Sequence, residues 1–227
     1  MRRIRRILSI SLITAGVVLL ADIAVTLLHE EPISAVYASI QQDRAADQLR
    51  ETEAAYPSAS DRRAIGRVRG RDQRLALLAR RFAKRTDVGE AIGRIRAPAM
   101  DLNTIVVHGT DTASLQKGPG HLPQTQFPGE GSTSAIAGHR TTYGAPFRHS
   151  DSIDRGDRIT IELPYATIRY RVQKTEIVEP TDVGVVRDVG YERLVLTSCH
   201  PLYSAEQRII VFARAVGVDL AGTARSS

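Results

Sequence analysis

Tryptophan is absent from this chain of 227 residues, cysteine occurs once, at Cys199, and aromatic residues reach only 5%. So few aromatics leave nothing for a base-stacking surface. One cysteine excludes an internal disulfide, so no disulfide framework holds this fold. Internal repeats and low-complexity tracts are also missing, and no groove-reading motif accompanies the net charge of +6, which argues against nucleic acid as a partner. What the chain does have is 42% hydrophobic residues, carried by Val, Ile, Leu and Ala, enough for one core of ordinary size plus appendages.

Much of the arginine lies in the N-terminal half, at Arg2, Arg3, Arg5 and Arg6 and again from residue 62 to 85. The first four precede a largely apolar run, residues 7–28, which at about 1.5 Å per helical residue can cross a roughly 30 Å hydrocarbon core. This pattern predicts a transmembrane helix within residues 1–32. Arginines before it and His29, Glu30 and Glu31 after it place the N-terminus in the cytoplasm and the rest outside. A cleaved signal peptide competes, with Val36 and Ala38 suiting a peptidase, but the run exceeds a typical h-region. Asp22 is costly inside the run and lies toward its outer end. A basic region beside a membrane meets anionic lipid or wall polymer more readily than nucleic acid.

Residues 33–88 read as a helical stalk or linker. From 33 to 55 Ala, Gln, Glu and Arg show no strong apolar period, which suits a solvated helix. Residues 56–60 break it, and Leu75, Leu78 and Phe82 at i, i+3 and i+7 mark a second helix that packs on the domain or on lipid. From residue 89 to 217 the texture changes to short β-branched runs separated by Gly, Pro and Asp: 92–95, 104–108, 134–137, 158–163, 167–178, 193–196 and 209–215. Regular short strands predict a mainly β domain, a closed or nearly closed barrel. Pro164, Tyr165 and Ala166 would form a hairpin turn. The Gly- and Pro-rich stretch 109–131 holds a short helix at most, and residues 218–227 read as a disordered tail.

Cys199 follows the apolar run Leu194-Val195-Leu196 and precedes His200-Pro201, which must end a strand. On the outer side of a membrane, such a thiol is free, paired with another chain, reactive, or simply a small buried hydrophobe. His139 follows the strand-like Ala135-Ile136-Ala137-Gly138, and Arg208 opens the last strand. Cysteine, histidine and arginine at three strand ends can supply a thiolate, an acid for a leaving amine and donors for an oxyanion.

Ala137-Gly138-His139-Arg140, Leu196-Thr197-Ser198-Cys199-His200-Pro201 and Arg208-Ile209-Ile210-Val211 resemble, in that order, the histidine, cysteine and arginine motifs of sortases. The resemblance runs from about residue 90 to 216. His139-Arg140-Thr141-Thr142-Tyr143-Gly144-Ala145-Pro146-Phe147 and Lys117-Gly118-Pro119-Gly120-His121 are most similar to class E sortases of actinobacteria. It implies a sortase-type barrel of about eight strands with short helices, and a membrane-anchored cysteine transpeptidase. Cys199 would attack the Thr–Gly carbonyl of a Leu-(Pro/Ala)-x-Thr-Gly sorting signal, His139 would protonate the departing amine, and Arg208 would hold substrate and oxyanion. The acyl-enzyme would pass a secreted protein to an amine of a peptidoglycan precursor, with no metal and no cofactor.

Tyr143, Thr197, Ser198 and His200 are the candidate substrate contacts. Ser198 departs from the family's Thr before the nucleophile, and the first Thr of that motif is Val195 here. His108, His121, His149 and His29 read as solvated or structural. Two rival readings remain: an L,D-transpeptidase-like wall enzyme, for which His108-Gly109-Thr110 speaks but the surroundings of Cys199 do not, and a non-catalytic wall-binding ectodomain with a buried Cys199.

Overall fold

The computed structural model describes residues 2–28 and 32–221, with side chains described for 5–21 and 34–221. Eight strands close a barrel in the order β1-β2-β3-β4-β7-β8-β6-β5. They are β1 (Ala91–Ala97), β2 (Leu102–His108), β3 (Gly120–His121), β4 (Thr133–Ala137), β5 (Arg158–Leu163), β6 (Ala166–Val178), β7 (Arg193–His200) and β8 (Gln207–Leu220). Alternation produces the inner face. In β5 and β6, Ile159, Ile161, Ile168 and Tyr170 turn inward at every second residue and are fully buried. The turn between these strands falls at Pro164 and Tyr165, and β8 continues to Leu220, beyond the expected end of the domain. Within residues 109–131 the chain forms a four-residue helix, α5 (Thr112–Leu115), and then β3. Residue 120 must be glycine there, because a Cβ would sit 2.0 Å from the Gly109 carbonyl oxygen.

The barrel has two distinct ends. At one, the β5–β6 turn and the end of β8 meet, since Ala166 pairs with Leu220. Helices α3 (Ala59–Gly66) and α4 (Arg71–Ala83) cover this end, with Leu75, Leu78 and Phe82 of α4 joining Tyr56, Phe127 and Tyr165 in the main core. Hydrogen bonds from the Tyr56 hydroxyl to the Leu78 carbonyl (2.7 Å) and from the Tyr165 hydroxyl to the Pro128 carbonyl (2.6 Å) satisfy the buried polar tips. Asp61, fully buried, closes a capping box with Ser58 and ion pairs with Arg81 and Arg85, both at 2.8 Å. Burial opposes its charge, but the hydrogen bonds from Arg85, Ser58 and Arg81 outweigh it and hold the carboxyl well below the usual range.

The expected solvated stalk is corrected by α2 (Pro32–Ala55), which docks along β1 and β2. Ala38, Ala45 and Leu49 are buried at helical spacing, and Gln42 falls on the same stripe. The Gln42 amide accepts from the Ile105 N–H (2.7 Å) and the Thr104 hydroxyl (2.6 Å), and donates to the carbonyls of Lys117 (2.7 Å) and Ile105 (3.1 Å). β3 pairs β2 only at Val107 and His108. Gln42 therefore supplies a partner to the stretch of β2 edge that the short strand leaves open.

Helix α1 (Arg2–Leu28) is 27 residues long. Among the described residues no helix is long and apolar enough to cross a membrane, so the expected transmembrane helix is not met there. Described side chains end at Ala21, and residues 7–21 make only about 22 Å of helix against a core of roughly 30 Å. The side chain of Asp22, together with His29 and residues 222–227, lies outside the described residues.

Candidate active site

At the end of the barrel opposite α4 lie the paired strand ends that carry Cys199 and Arg208, with His139 two residues past the end of neighbouring β4. In β7, Leu194 and Leu196 belong to the core inside the barrel, whereas Val195 packs outside it with Ala135, Ile210 and Phe212. Alternation then puts Thr197 and Cys199 on the outer face and Ser198 and His200 on the other. Cys199 is directly opposite Arg208 in the antiparallel β7–β8 pair, a position where Cβ atoms lie about 5 Å apart. On the other side of β7, the parallel register of Ala137 with Thr197 places His139, two residues on, level with Cys199. The last ladder bond is Gly138 N–H to the Thr197 carbonyl at 3.1 Å. Residue 138 must be glycine because the Phe147 ring sits 2.8 Å from where a Cβ would be.

Cys199 is a free, half-buried thiol. His139 is half-buried as well, and desolvation pushes its pKa below the ordinary histidine value. Arg208 Nη1 donates to the carbonyls of Ala205 and Gln207, both at 2.9 Å, which tethers the guanidinium to the turn before β8. Beyond the site, Leu122, Val178, Val185 and Val186 pack on the outer cluster of Ala135, Val195, Ile210 and Phe212. Among the described residues no group of three or more His, Cys, Asp or Glu side chains is placed to hold a metal ion.

The candidate substrate contacts separate. Thr197 shares the outer face with Cys199. Ser198 is 4% exposed and its hydroxyl hydrogen bonds to Ser150 Oγ at 3.0 Å, so it is spent on holding the β4–β5 loop, on the face of β7 opposite Cys199. His200 is on the same inner side as Ser198. Tyr143 stands beside His139 with ring centroids 5.2 Å apart, at a positive φ of 52°. Its hydroxyl accepts from Gln116 Nε2 (3.0 Å), and its N–H donates to Ser34 Oγ of α2 (3.1 Å). Of the other histidines, His149 is exposed, while His108 and His121 form a pair with Nδ1 atoms 3.2 Å apart.

Sequence reasoning gave Arg140 no role. It is 3% exposed and spans the gap between the His139 segment and β7. Its Nη1 donates to His200 Nδ1 (3.1 Å) and to the Cys199 carbonyl (3.5 Å), Nε donates to the Arg148 carbonyl (3.2 Å), and Nη2 pairs with Asp151 (2.6 Å). The signal was its adjacency to His139, although the sequence offers no sign that this arginine is buried.

A family model for the sortase domain matches residues 95–216. Sortase D of Bacillus subtilis is 31% identical over 134 residues, covering 57% of this chain and 66% of that protein, just short of two thirds of its length. Among solved structures, a sortase E of Streptomyces avermitilis is 30% identical with a TM-score of 0.54, covering 61% of this chain and 97% of that one. A Clostridium perfringens sortase transpeptidase shares the fold at 20% identity and a TM-score of 0.62, over 78% of this chain and 99% of its own.

Proposed function

The chain belongs to the sortase family, and on that premise we propose that it is a membrane-anchored cysteine transpeptidase joining secreted proteins to a peptidoglycan amine. The observation that supports this reading is the pairing at the rim: Cys199 is directly opposite Arg208 across β7 and β8, and the parallel β4–β7 ladder, which ends at Ala137 and Thr197, leads into the segment that carries His139. Burial holds His139 mainly neutral at pH 7, ready to take the thiol proton as Sγ attacks the Thr carbonyl of a Leu-(Ala/Pro)-x-Thr-Gly signal. The C–S bond forms, the Thr–Gly C–N bond breaks, and the imidazolium passes its proton to the leaving Gly amine. In the second half an acceptor amine attacks the thioester, the C–S bond breaks, and the amine's proton returns through His139 to the Cys199 sulfur. Arg208 offers Nη2 and Nε to the substrate backbone and the oxyanion.

The anchor is part of this reading. Arg2, Arg3, Arg5 and Arg6 precede the apolar run, and Ile7, Leu12, Val17 and Leu20 of α1 stand largely exposed, as a lipid-facing helix requires. From Leu28 to Ser34 is six residues, a reach of at most about 20 Å. Because Ser34 bonds to Tyr143, this tether brings the rim that carries His139 to the membrane side of the domain.

We assign the chain to class E on the 139–147 segment and on its likeness to sortase E. Tyr143 then bears on the second signal position. Its hydroxyl accepts from Gln116 and keeps its own proton to donate. An Ala residue, unlike Pro, also supplies a backbone N–H that the phenol oxygen can accept. One such bond, worth about 0.5–1.5 kcal/mol, corresponds to roughly two- to twelve-fold preference for Leu-Ala-x-Thr-Gly. Measuring kcat/KM for the Ala and Pro peptides with wild type and Tyr143→Phe tests it. The ratio should collapse toward one in the variant, and an unchanged ratio refutes the hydroxyl's part. No cleavage of either peptide between Thr and Gly refutes the proposed function itself.

A further inference from the structure

β4 ends at Ala137, and the ladder to β7 gives its last bond at Gly138. His139 is therefore one residue past the sheet, where backbone pairing no longer fixes its distance from Cys199. Beside the Tyr143 ring, two polar contacts take over from the ladder. The Phe147 N–H donates to the His139 carbonyl at 2.9 Å. The other contact is Arg140, whose guanidinium is buried and whose three nitrogens are all engaged.

We infer that Arg140 is a positioning residue that clips the segment bearing His139 to the strand end bearing Cys199, and so sets their mutual geometry for both halves of the transfer. The inference rests on the proposed roles of His139 and Cys199. Its partners explain why the clip is stiff. Asp151 and the Arg148 carbonyl lie on the same β4–β5 loop, while the Cys199 carbonyl and the His200 ring belong to β7. One planar group thus joins the residue next to the proposed base with the nucleophile's own backbone. A guanidinium has no lone pair to offer, so His200 Nδ1 must be the acceptor, and His200 carries its proton on Nε2. This also gives His200 a definite task on the inner side of β7. Lysine could not substitute, because an ammonium is a point donor and cannot reach four acceptors laid out around a plane. Misplacing a reacting group by about 1 Å costs on the order of 100-fold in rate.

The test compares wild type, Arg140→Lys and Asp151→Asn, each checked for folding by circular dichroism. Cleavage of a Leu-Ala-x-Thr-Gly peptide gives kcat and KM, iodoacetamide gives the alkylation rate of Cys199, and ¹⁵N spectra give the His200 tautomer. For Arg140→Lys we expect kcat to fall about 10- to 100-fold with KM within about threefold. Alkylation, which has no leaving amine to protonate and can pass the thiol proton to solvent, should stay within about threefold, and the His200 Nδ1 resonance should move. A folded Arg140→Lys with kcat within threefold of wild type overturns the inference, and so does a kcat loss matched by an equal change in alkylation, which would indicate general disruption of the site. Should Arg140→Lys fail to fold, Asp151→Asn decides: it keeps the guanidinium and loosens one tie, so kcat should drop about threefold to tenfold at constant KM. An unchanged kcat there refutes the clip. Wild type that alkylates at Cys199 but cleaves no peptide would instead sink the functional reading beneath it.

Discussion

His121 should make the fold acid-labile by an amount the structure allows to be worked out. It sits in β3, fully buried, with Nε2 donating to the Gln126 carbonyl at 2.9 Å and Phe127 packed at 4.6 Å between ring centroids. Because Nε2 carries the proton, Nδ1 must accept from His108 Nδ1–H at 3.2 Å. A second proton on His121 would face that donor inside the barrel wall. Desolvation accordingly pushes its pKa down from 6.5 to about 4. The folded state then binds the proton less readily than the unfolded chain, so the contribution is intact above pH 6.5 and is lost as the pH falls toward 4. With these two values the loss between pH 7 and pH 4.5 is about 2.5 kcal/mol, which is about 1 M in urea midpoint for a slope of 2–3 kcal/mol per M. His108, also depressed by burial, acts in the same direction. Glu192, raised by burial, acts oppositely and gains stability on acidification. Glu192 is common to wild type and His121→Gln, so the difference between the two proteins reports the His108–His121 pair, of which His121 is the more deeply buried member. Urea unfolding of each at pH 7 and pH 4.5 should show wild type losing about 2.5 kcal/mol more than the variant. Equal losses would refute the buried neutral pair.

Further expectations concern the groove and the N-terminal helices. Cys199→Ala should abolish peptide cleavage, and Arg208→Lys should cost at least tenfold in kcat/KM because an ammonium cannot repeat the forked donors; near-normal turnover of Arg208→Lys would reduce that residue to a structural cation. Removing residues 1–32 should leave kcat/KM within about threefold, whereas starting at Asp61 should lower the unfolding midpoint by at least 5 °C. The longer deletion removes the Gln42 bonds to β2 and the Tyr56 ring from the core, and burying an aromatic of that size is worth about 3–5 kcal/mol. Equal melting curves for the two truncations would show that α2 contributes nothing to the domain.

The strands with alternating β-branched residues were legible in the sequence because each has an inner face to fill, as Ile159, Ile161 and Ile168 do. β3 was not, since two residues within a Gly-rich stretch carry no period. The docking of α2 was hidden for a related reason. Its buried stripe is Ala38, Gln42, Ala45 and Leu49, and alanine and glutamine read as solvated helix until the open β2 edge supplies the amide's partners. At the site, the placement of Cys199 and Arg208 at strand ends and of His139 just past one was legible from the local patterns around each. Which face Ser198 takes depended on how far β7 runs, and its hydroxyl turns to Ser150 and not to the groove. Arg140 escaped notice because its burial follows from acceptors brought together by the β4–β5 loop and β7, far apart in the chain.

The central claim is that Cys199 forms a thioester with a sorting signal and yields it to an amine. Mass spectrometry of residues 33–227 mixed with Leu-Ala-x-Thr-Gly peptide tests it directly. An adduct of the peptide through Thr on Cys199 is expected, and it should disappear on adding a glycine or peptidoglycan-type amine as the ligated product appears. A folded protein whose Cys199 alkylates freely yet never carries that adduct, with the peptide recovered intact, would contradict it.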